Sequence, residues 1–443
     1  MTTDAQTVVV AGAGIAGITA AFFAAQQGHR VILVEPASCA GGLLASDITE
    51  FGAFDRGTHV ATFTGLDVLD DFLFGGVAEE DFNFFNPGVS GNYYRGRLSE
   101  ISPFVDTSVL PEKLIARAEQ ELSNPAADAA PQNLEQLMVA RFGPTIYREI
   151  FSSVVQKFMG CDAATLTPDT INLFDMNRIL AFDAATSEQL KTQPRYNDAL
   201  GYHGAHPGAQ KLYPHIGGIG YWVEFIMKKL RDLGVTLLTD SSITRLHRQG
   251  DKVSAVEIDG EVCAVDQLIW SIAPALFAKL NASKIDFPAP LFRKTALYDY
   301  SFERPLTTNC YYINDYDTSN LASRITLYSN LTSVYDYHNC TVEVLGGDDF
   351  DFTGGQALVL QELRSSGLVE VDNPCHYQGS RPISNGFPVP DLNYASATVA
   401  CSAALEKTVS NVRFVGRAPG RFFMKDVLMH TYEAVGGSRA GVV

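Results

Sequence analysis

Residues 8–35 read VVVAGAGIAGITAAFFAAQQGHRVILVE, and their pattern predicts a strand, a helix and a second strand. Residues 8–11 form a continuous apolar run, which is typical of a strand in a parallel sheet covered on both faces. Residues 15–27 predict a helix that ends at Gly28. Residues 31–34 are apolar again and predict the second strand. The stretch therefore predicts a βαβ unit within an α/β fold.

The turn between the first strand and the helix has the spacing GxGxxG, at Gly12, Gly14 and Gly17. The first glycine permits a tight turn, the second lets the backbone approach a pyrophosphate, and the third lets the helix pack on the strand. Glu35 ends the second strand, where its carboxylate can accept hydrogen bonds from ribose hydroxyls. Since the glycines, strands and acid are in register, we expect a dinucleotide site. An acid at this position favours NAD or FAD over NADP.

The composition is that of a globular protein with two or three domains. The chain has 443 residues, of which 46% are hydrophobic and 19% charged, and its net charge is −17. This charge argues against nucleic-acid binding, which needs a basic face.

The seven cysteines form no CxxC pair, which favours reduced thiols and a cytoplasmic protein. Residues 8–25 approach transmembrane length, but a buried βαβ unit explains them better, so no membrane span is expected.

A second glycine pair favours FAD over NAD. Gly41 and Gly42 lie in SCAGGLLAS (residues 38–46), which resembles the second glycine motif of amine oxidases and protoporphyrinogen oxidases. Residues 212–238, LYPHIGGIGYWVEFIMKKLRDLGVTLL, are similar to a strand and helix of the same group. Residues 265–274, VDQLIWSIAP, resemble the strand by which those chains re-enter the nucleotide-binding sheet. The expected fold is α/β, with a Rossmann-type FAD-binding domain.

The FAD-binding domain is predicted to consist of three separate segments, residues 1–65, 210–280 and 405–443. Residues 66–209 are predicted to form a mainly helical domain, and residues 281–404 a substrate-binding domain built on a mixed or antiparallel sheet. Apolar periodicity predicts helices at 111–122, 133–142 and 143–160, with a linker at 123–132. Residues 242–260 predict a strand, a turn and a strand, and residues rich in Tyr, Thr and Val from about 290 to 350 predict an open sheet.

Several further stretches resemble UDP-galactopyranose mutases, in the same order along the chain. They are FDRGTHVATF (54–63), NYYRGRLSEISPF (92–104), the predicted helix over 133–160, YYINDYDTSNLASRITLYSNL (311–331) and VGRAPGRFFMKDVLMHTYEA (415–434). The resemblance implies an isomerase that holds reduced FAD and uses flavin N5 as a covalent catalyst, without net oxidation. It also implies a nucleotide-sugar substrate, whose diphosphate would be clamped by arginines.

The resemblance and the glycine motifs together assign residues to roles. Catalytic roles are expected for His59, Arg324 and Arg178. Substrate contacts are expected from Met159, Arg178, Arg293, Arg324, Phe387 and Arg417. FAD contacts are expected from Gly12, Gly14, Ile15, Ala16, Gly17, Glu35, Pro36, Gly41, Gly42, Leu43, Thr58, His59, Gly416, Arg417, Asp426, Val427 and Leu428. A helix beginning near Asp426 would direct its amides at the flavin.

Four departures from the mutase pattern leave the function open. Met159 stands where the family has tryptophan, Phe174 where it has an arginine, and Phe387 where it has a tyrosine. A second tyrosine of the family is replaced by Met424 or Lys425. The alternative is a true FAD-dependent oxidoreductase of the amine oxidase or protoporphyrinogen oxidase type. A third is a cofactor-binding protein without catalysis. No metal site is expected, because His59 has no ligand-type partner close in sequence. Asp55 is expected to be structural, and a homodimer is possible.

Overall fold

The computed structural model of the chain describes residues 5–85, 89–123, 130–204, 210–332, 334–347 and 350–436, without the side chains of residues 384–387. The strands are β1 (Thr7–Ala11), β2 (Arg30–Val34), β3 (Ser46–Thr49), β4 (Gly52–Asp55), β5 (Ala61–Thr62), β6 (Phe82–Phe85), β7 (Ser90–Tyr94), β8 (Arg97–Ser99), β9 (Val105–Asp106), β10 (Ile179–Leu180), β11 (Lys211–Pro214), β12 (Thr236–Leu238), β13 (Ile243–Gln249), β14 (Lys252–Ile258), β15 (Glu261–Ala264), β16 (Gln267–Trp270), β17 (Phe292–Phe302), β18 (Tyr312–Asp315), β19 (Ala322–Leu327), β20 (His338–Gly346), β21 (Cys375–Pro388) and β22 (Val412–Phe414).

The helices are α1 (Ile15–Gln26), α2 (Asp67–Phe74), α3 (Glu112–Ser123), α4 (Leu134–Phe142), α5 (Pro144–Ile146), α6 (Ser152–Met159), α7 (Ala184–Leu190), α8 (Pro194–Ala199), α9 (Gly218–Asp232), α10 (Pro274–Leu280), α11 (Gly355–Ser365), α12 (Leu392–Glu406) and α13 (Met424–Thr431). The α/β fold class expected from the sequence is confirmed.

A five-stranded parallel sheet, in the order β12-β2-β1-β16-β22, carries the βαβ unit at one end of the chain. Its strands come from all three segments predicted to form the FAD-binding domain. Side chains alternate across the sheet, so that Val8 and Val10 pack against the α1 side while Val9 packs against the opposite side. Both faces are therefore buried, which explains the uninterrupted apolar run of β1.

The second large sheet has seven strands in the order β21-β17-β20-β19-β18-β7-β8. All its pairs are antiparallel except β18 with β7. One face forms a core that includes Val342 and Ile325. Strands β7 and β8 belong to this sheet, although they fall within the residues predicted to be mainly helical. Strands β13 and β14 pair as the predicted strand–turn–strand, with Gln249 opposite Lys252.

The helical unit is built on α3 to α8 around its own apolar core. The helices predicted at 111–122 and 133–142 are confirmed as α3 and α4. The prediction of a single regular helix over 143–160 is wrong in one respect. A π-helical turn, Tyr147–Phe151, interrupts it between α5 and α6, and Gly160 ends it in the left-handed conformation at φ +72°. Most of the linker predicted at 123–132 lies outside the described residues.

Candidate active site

One cavity of about 640 Å³ opens where the parallel sheet, the seven-stranded sheet and α13 meet. Its lining includes the first turn of α1, the loop at residues 56–60, and side chains from β17, β19, β20 and β21. It contains ten of the residues predicted to bind FAD, namely Gly14, Ile15, Ala16, Gly41, Leu43, Thr58, His59, Gly416, Arg417 and Val427. The seven-stranded sheet contributes the polar residues Thr295, Arg324 and Glu343 to this lining.

The three glycines of the first turn differ in what surrounds them. Gly12 has φ +92°, which an L residue adopts only with strain. A Cβ on Gly17 would lie 1.8 Å from the carbonyl oxygen of Gly12, so this glycine permits the contact between helix and strand. A Cβ on Gly14 would meet no protein atom within 4 Å. Gly14 is therefore not needed for packing, and its open face leaves room for a ligand such as a pyrophosphate.

Glu35 is held at the end of β2, beside the same turn. Its carboxylate oxygens accept hydrogen bonds from the amides of Ala13 at 2.7 Å and Ala37 at 2.9 Å. A carboxylate has about four acceptor positions, so lone pairs remain for ribose hydroxyls. The fixed carboxylate and the open glycine face fit the adenosine half of FAD.

The segment with Gly41 and Gly42 is hydrogen-bonded directly to the glycine-rich turn before α1. The amide of Gly41 donates to Ala13 at 2.8 Å, and Gly41 forms a parallel bridge with Gly14. Gly41 and Gly42 both have positive φ, at +113° and +59°. The two glycine motifs therefore form one continuous backbone surface, which is suited to an extended dinucleotide.

His59 lines the cavity, and its Nδ1 atom is buried without a hydrogen-bond partner among the described residues. Burial lowers the pKa of His59 to about 4, and the charges of Arg417 and Arg324 act in the same direction. The imidazole is therefore neutral at pH 7. The neighbouring Thr58 hydroxyl shares a hydrogen bond with the hydroxyl of Thr326 on β19, which ties this loop to the seven-stranded sheet.

Arg324 is directed into the cavity by a β-bulge. The register of β19 shifts between Ala322, opposite Val344, and Arg324, opposite Glu343. Ala322 and Ile325 can therefore both face the core, while Arg324 faces the cavity. Bulges commonly re-aim side chains next to active sites.

The guanidinium of Arg324 is held on two sides. Its Nε donates to Oδ1 of Asn314 at 3.0 Å, and its central carbon lies 4.6 Å from the centre of the Phe174 ring. Arg417 also lines the cavity, and burial lowers its pKa from the ordinary value. Among the described residues, no carboxylate lies within the 4.0 Å ion-pair distance of Arg324 or Arg417. Both cations are therefore available to an anionic group.

Glu343 is a cavity residue that the sequence did not single out. Burial raises its pKa, and the charge of Arg324 opposes this rise. In the strand HNCTVEVLG, Cys340, Val342 and Val344 alternate with polar residues and face the core. The alternation placed Glu343 on the other face, but only the tertiary structure shows that this face borders a cavity rather than solvent.

Three residues with predicted catalytic or substrate-binding roles do not line the cavity. Arg178 donates from Nε to the carbonyl of Asn197 at 3.0 Å within the helical unit. Arg293 donates to the carbonyls of Lys157 and Leu345, next to the end of α6. Met159 is fully buried in the helical core. The side chain of Phe387 lies outside the described residues.

Helix α13 begins at Met424, close to the predicted start. Met424, Lys425 and Val427 line the cavity, whereas Leu428 is fully buried in the core behind them. Asp426 accepts a hydrogen bond from the amide of Phe423 at 3.3 Å and so caps the helix. The amino end of α13 thus borders the cavity, as expected for a helix that faces a flavin.

Two further properties concern the described part of the chain. None of its helices is both long enough and apolar enough to span a bilayer. It also contains no group of three or more His, Cys, Asp or Glu side chains arranged to hold a metal ion.

Comparisons with known proteins identify one matching family and several solved structures with a similar fold. The family model for FAD-dependent oxidoreductases matches residues 7–82. No curated protein matches the sequence. The crystal structure of reduced UDP-galactopyranose mutase aligns with a TM-score of 0.76 at 18% identity, covering 97% of this chain and 94% of that chain.

Two other similar structures have different activities in their names. A protein of Exiguobacterium sp. 255-15 provisionally classed as a protoporphyrinogen oxidase has a TM-score of 0.72 at 13% identity, with 98% of each chain covered. Putrescine oxidase bound to putrescine has a TM-score of 0.64 at 13% identity, covering 97% of this chain and 98% of that chain. At these identities the likeness shows the shared fold.

The family match covers the turn that contains Gly12, Gly14 and Gly17, the carboxylate of Glu35, and the pair Gly41 and Gly42, which are the features that fit a dinucleotide. Almost the whole length of the chain shares the fold of the mutase and of the Exiguobacterium protein. Residues 7–82 therefore match the family of FAD-dependent oxidoreductases, the chain shares its fold with the structures compared above, and FAD is its cofactor.

Proposed function

We propose that this flavoenzyme acts on a nucleotide sugar and interconverts the pyranose and furanose forms of the sugar, with its FAD in the reduced state. The observation that carries this proposal is the pair Arg324 and Arg417, which line the cavity without a carboxylate at ion-pair distance among the described residues. Two such guanidinium groups suit a diphosphate, because each can donate two parallel hydrogen bonds to phosphate oxygens.

The cavity residues have distinct parts in this chemistry. Reduced FAD supplies a nucleophilic N5 atom, which allows a sugar ring to open and reclose without net oxidation. Arg324 and Arg417 would hold the diphosphate and stabilise the charge on the nucleoside diphosphate as a leaving group. His59, neutral at pH 7, can exchange a hydrogen bond with the flavin or the sugar without adding a charge.

Phe174 affects both the charge and the rigidity of the proposed substrate site. It lines the cavity at the position where the mutase pattern has an arginine, and its ring lies against the guanidinium of Arg324. The aromatic ring removes one cation from the site but restricts the motion of the cation that remains. This substitution favours a substrate that differs from UDP-galactose in the sugar or the base.

The test is to reduce the purified, FAD-loaded protein with dithionite and screen nucleotide sugars for pyranose–furanose conversion. Arg324→Ala is expected to reduce turnover at least 100-fold, since an anion-stabilising donor typically contributes on the order of 3 kcal/mol or more to catalysis. The FAD content should stay unchanged. Arg231→Ala, an exposed arginine on α9, is the matched control. Absence of conversion with every nucleotide sugar would overturn the proposal.

The second candidate is a true FAD-dependent oxidoreductase. It is favoured by the apolar part of the cavity wall, which includes Leu297, Phe422 and Phe423 and which would suit an uncharged substrate region. Turnover of the oxidised enzyme with amines or porphyrinogens, together with oxygen uptake and peroxide release, would support it. Conversion that depends strictly on prior reduction would exclude it.

A further inference from the structure

A strained turn lies directly beneath Arg324. Phe174 and Asp175 both have φ +52°, in the left-handed region that residues other than glycine adopt at a cost. Such a conformation persists only where surrounding contacts hold it, and it is often found where a side chain must be aimed. Here the turn directs the Phe174 ring towards the guanidinium of Arg324 and the Asp175 carboxylate towards β18.

Three hydrogen bonds hold this turn in place. Oδ2 of Asp175 accepts from the Tyr312 hydroxyl at 2.9 Å and from Nδ2 of Asn314 at 2.7 Å. The Tyr316 hydroxyl donates to the carbonyl of Phe174 at 2.7 Å. All three donors lie on or immediately after β18, so the turn is fastened to the sheet that carries Arg324.

Asn314 connects the turn to the arginine. Its amide nitrogen donates to Asp175, and its amide oxygen accepts from Nε of Arg324 at 3.0 Å. Reversing this amide would place an oxygen against the carboxylate and an N–H group against the guanidinium, which loses both bonds. Asp175 thus fixes the orientation of Asn314, and Asn314 fixes the orientation of Arg324.

Because Nε is occupied by Asn314, the two terminal nitrogens of Arg324 are the groups left for a ligand. We propose that Asp175 is a positioning residue that acts through Asn314 to present these nitrogens of Arg324 to an oxyanion in the cavity. The identification of this oxyanion as the diphosphate of a nucleotide sugar rests on the proposed function. The positioning itself does not depend on it.

Asp175 could instead serve only the stability of the turn, and the two roles give different results. Asp175→Gly removes the carboxylate while favouring the left-handed backbone. Asp175→Asn is the matched control, because asparagine also tolerates this conformation and keeps an oxygen that can accept the two hydrogen bonds. Both variants are prepared as FAD-loaded protein, and their flavin-to-protein ratio is compared with that of the wild type.

The first measurement needs no substrate. In protein labelled with ¹⁵N at arginine Nε, the Arg324 signal is assigned by its absence in Arg324→Lys, and its hydrogen-exchange rate is followed. We expect exchange to be at least about tenfold faster in Asp175→Gly than in the wild type, because the restrained hydrogen bond to Asn314 is loosened. Asp175→Asn should remain within about threefold of the wild type. Unchanged exchange in Asp175→Gly would overturn the proposal.

The second measurement is a double-mutant cycle with UDP as the probe. Asp175→Gly is expected to weaken UDP binding about tenfold, and by less than about twofold when Arg324 is already alanine. An equal loss in both backgrounds would assign Asp175 a purely structural role and overturn the inference. If UDP does not bind the wild type, a uridine nucleotide is excluded as the ligand and the exchange measurement still decides the positioning. Should Asp175→Gly not fold, Asp175→Ala enters the same two measurements.

Discussion

Glu343 and Arg324 are direct cross-strand partners on β20 and β19, and both side chains line the cavity. Neighbouring positions in the sheet place an acid beside the cation that is available for an anionic substrate. The Glu343 carboxylate is not within 4.0 Å of the Arg324 guanidinium. Burial raises the pKa of Glu343, and the positive charge of Arg324 lowers it. In its ionised form Glu343 would therefore lower the positive potential that Arg324 creates in the cavity.

Replacing Glu343 with glutamine should strengthen the binding of UDP. Glutamine keeps the size and position of the side chain but removes its negative charge. The expected gain in binding free energy is on the order of 1 kcal/mol, or about fivefold in affinity, at low ionic strength. Isothermal titration of the FAD-loaded wild type and Glu343→Gln at two salt concentrations measures it. The gain should shrink with added salt. Equal affinities at low salt would show that the Glu343 charge does not reach the anion site.

The pH dependence of this difference gives a second check. Since burial raises the pKa of Glu343, the wild-type carboxyl gains its proton as the pH falls through this raised value. Protonation makes Glu343 resemble glutamine, so the affinity ratio between variant and wild type should approach one at low pH. Taking the ratio cancels the protonation of UDP itself. A ratio that grows as the pH falls would contradict the assigned charge state.

Gly14 and Gly17 should respond differently to substitution by alanine. A Cβ on Gly14 meets no protein atom within 4 Å and its φ of −73° suits any residue, so Gly14→Ala should change the unfolding free energy of the apoprotein by less than about 1 kcal/mol. It should nevertheless weaken FAD binding at least about tenfold, because the methyl group occupies the space of the pyrophosphate.

Gly17→Ala is the contrasting variant. Its Cβ would lie 1.8 Å from the Gly12 carbonyl oxygen, so α1 must move away from β1 and the apoprotein itself should be destabilised by several kcal/mol. Denaturant unfolding of the apoproteins and FAD titration separate the two effects. Normal FAD affinity in Gly14→Ala would remove the open face of Gly14 from the cofactor site.

The sequence predicted those features that depend on local spacing. The βαβ unit, the three glycines of its turn, the pair Gly41 and Gly42, and Glu35 lie together because their geometry is set within about 35 residues of chain. The helices α3 and α4 and the start of α13 were likewise readable from periodicity and capping. Arg324, His59 and Arg417 come from distant parts of the chain, and their common location in the cavity was expected only from the resemblance.

Other features could not be read from the sequence. The β-bulge that directs Arg324 depends on pairing between β19 and β20, which local residues do not determine. Arg178 donates to a carbonyl in the helical unit, and Arg293 donates to a carbonyl at the end of α6. The residues next to them in the sequence do not show whether such an arginine binds a backbone carbonyl or a ligand. The π-helical turn in the predicted helix over 143–160 has no propensity signal either.

His59 should make the stability of the apoprotein depend on pH. Its pKa is about 4 in the folded chain, below the ordinary value of 6.5, so the unfolded chain binds the proton first as the pH falls. Between pH 6.5 and pH 4 the unfolding free energy should decrease by up to about 3 kcal/mol on this account, and above pH 6.5 the contribution should be constant. Below pH 4 it should level off.

His59→Gln provides the comparison, since it keeps a polar side chain that does not titrate. Denaturant unfolding of both apoproteins at intervals from pH 7.5 to pH 4.5 should show a smaller decrease for the variant. Parallel decreases would indicate that His59 titrates near its ordinary value. Asp55 acts in the opposite direction, because burial raises its pKa to about 6, and its contribution is common to both proteins.

Arg381 should be one of the most important charged residues for stability. Its guanidinium donates to Asp299 at 2.6 and 2.7 Å, to Asp47 at 2.7 Å and to the carbonyl of Asp55 at 2.9 Å. Asp299 is only 1% exposed, and burial raises its pKa against the influence of Arg381. Arg381→Met therefore leaves a buried carboxylate without its cation and should cost about 3–5 kcal/mol.

The double variant Arg381→Met, Asp299→Leu tests the reason for this loss. If the penalty comes from the uncompensated carboxylate, removing it should recover at least about half of the lost free energy. If the penalty comes from the bonds to Asp47 and the Asp55 carbonyl, the double variant should be no more stable than Arg381→Met. Because β21 reaches the cavity through Ile383, two residues from Arg381, the FAD content of the single variant should fall along with its stability.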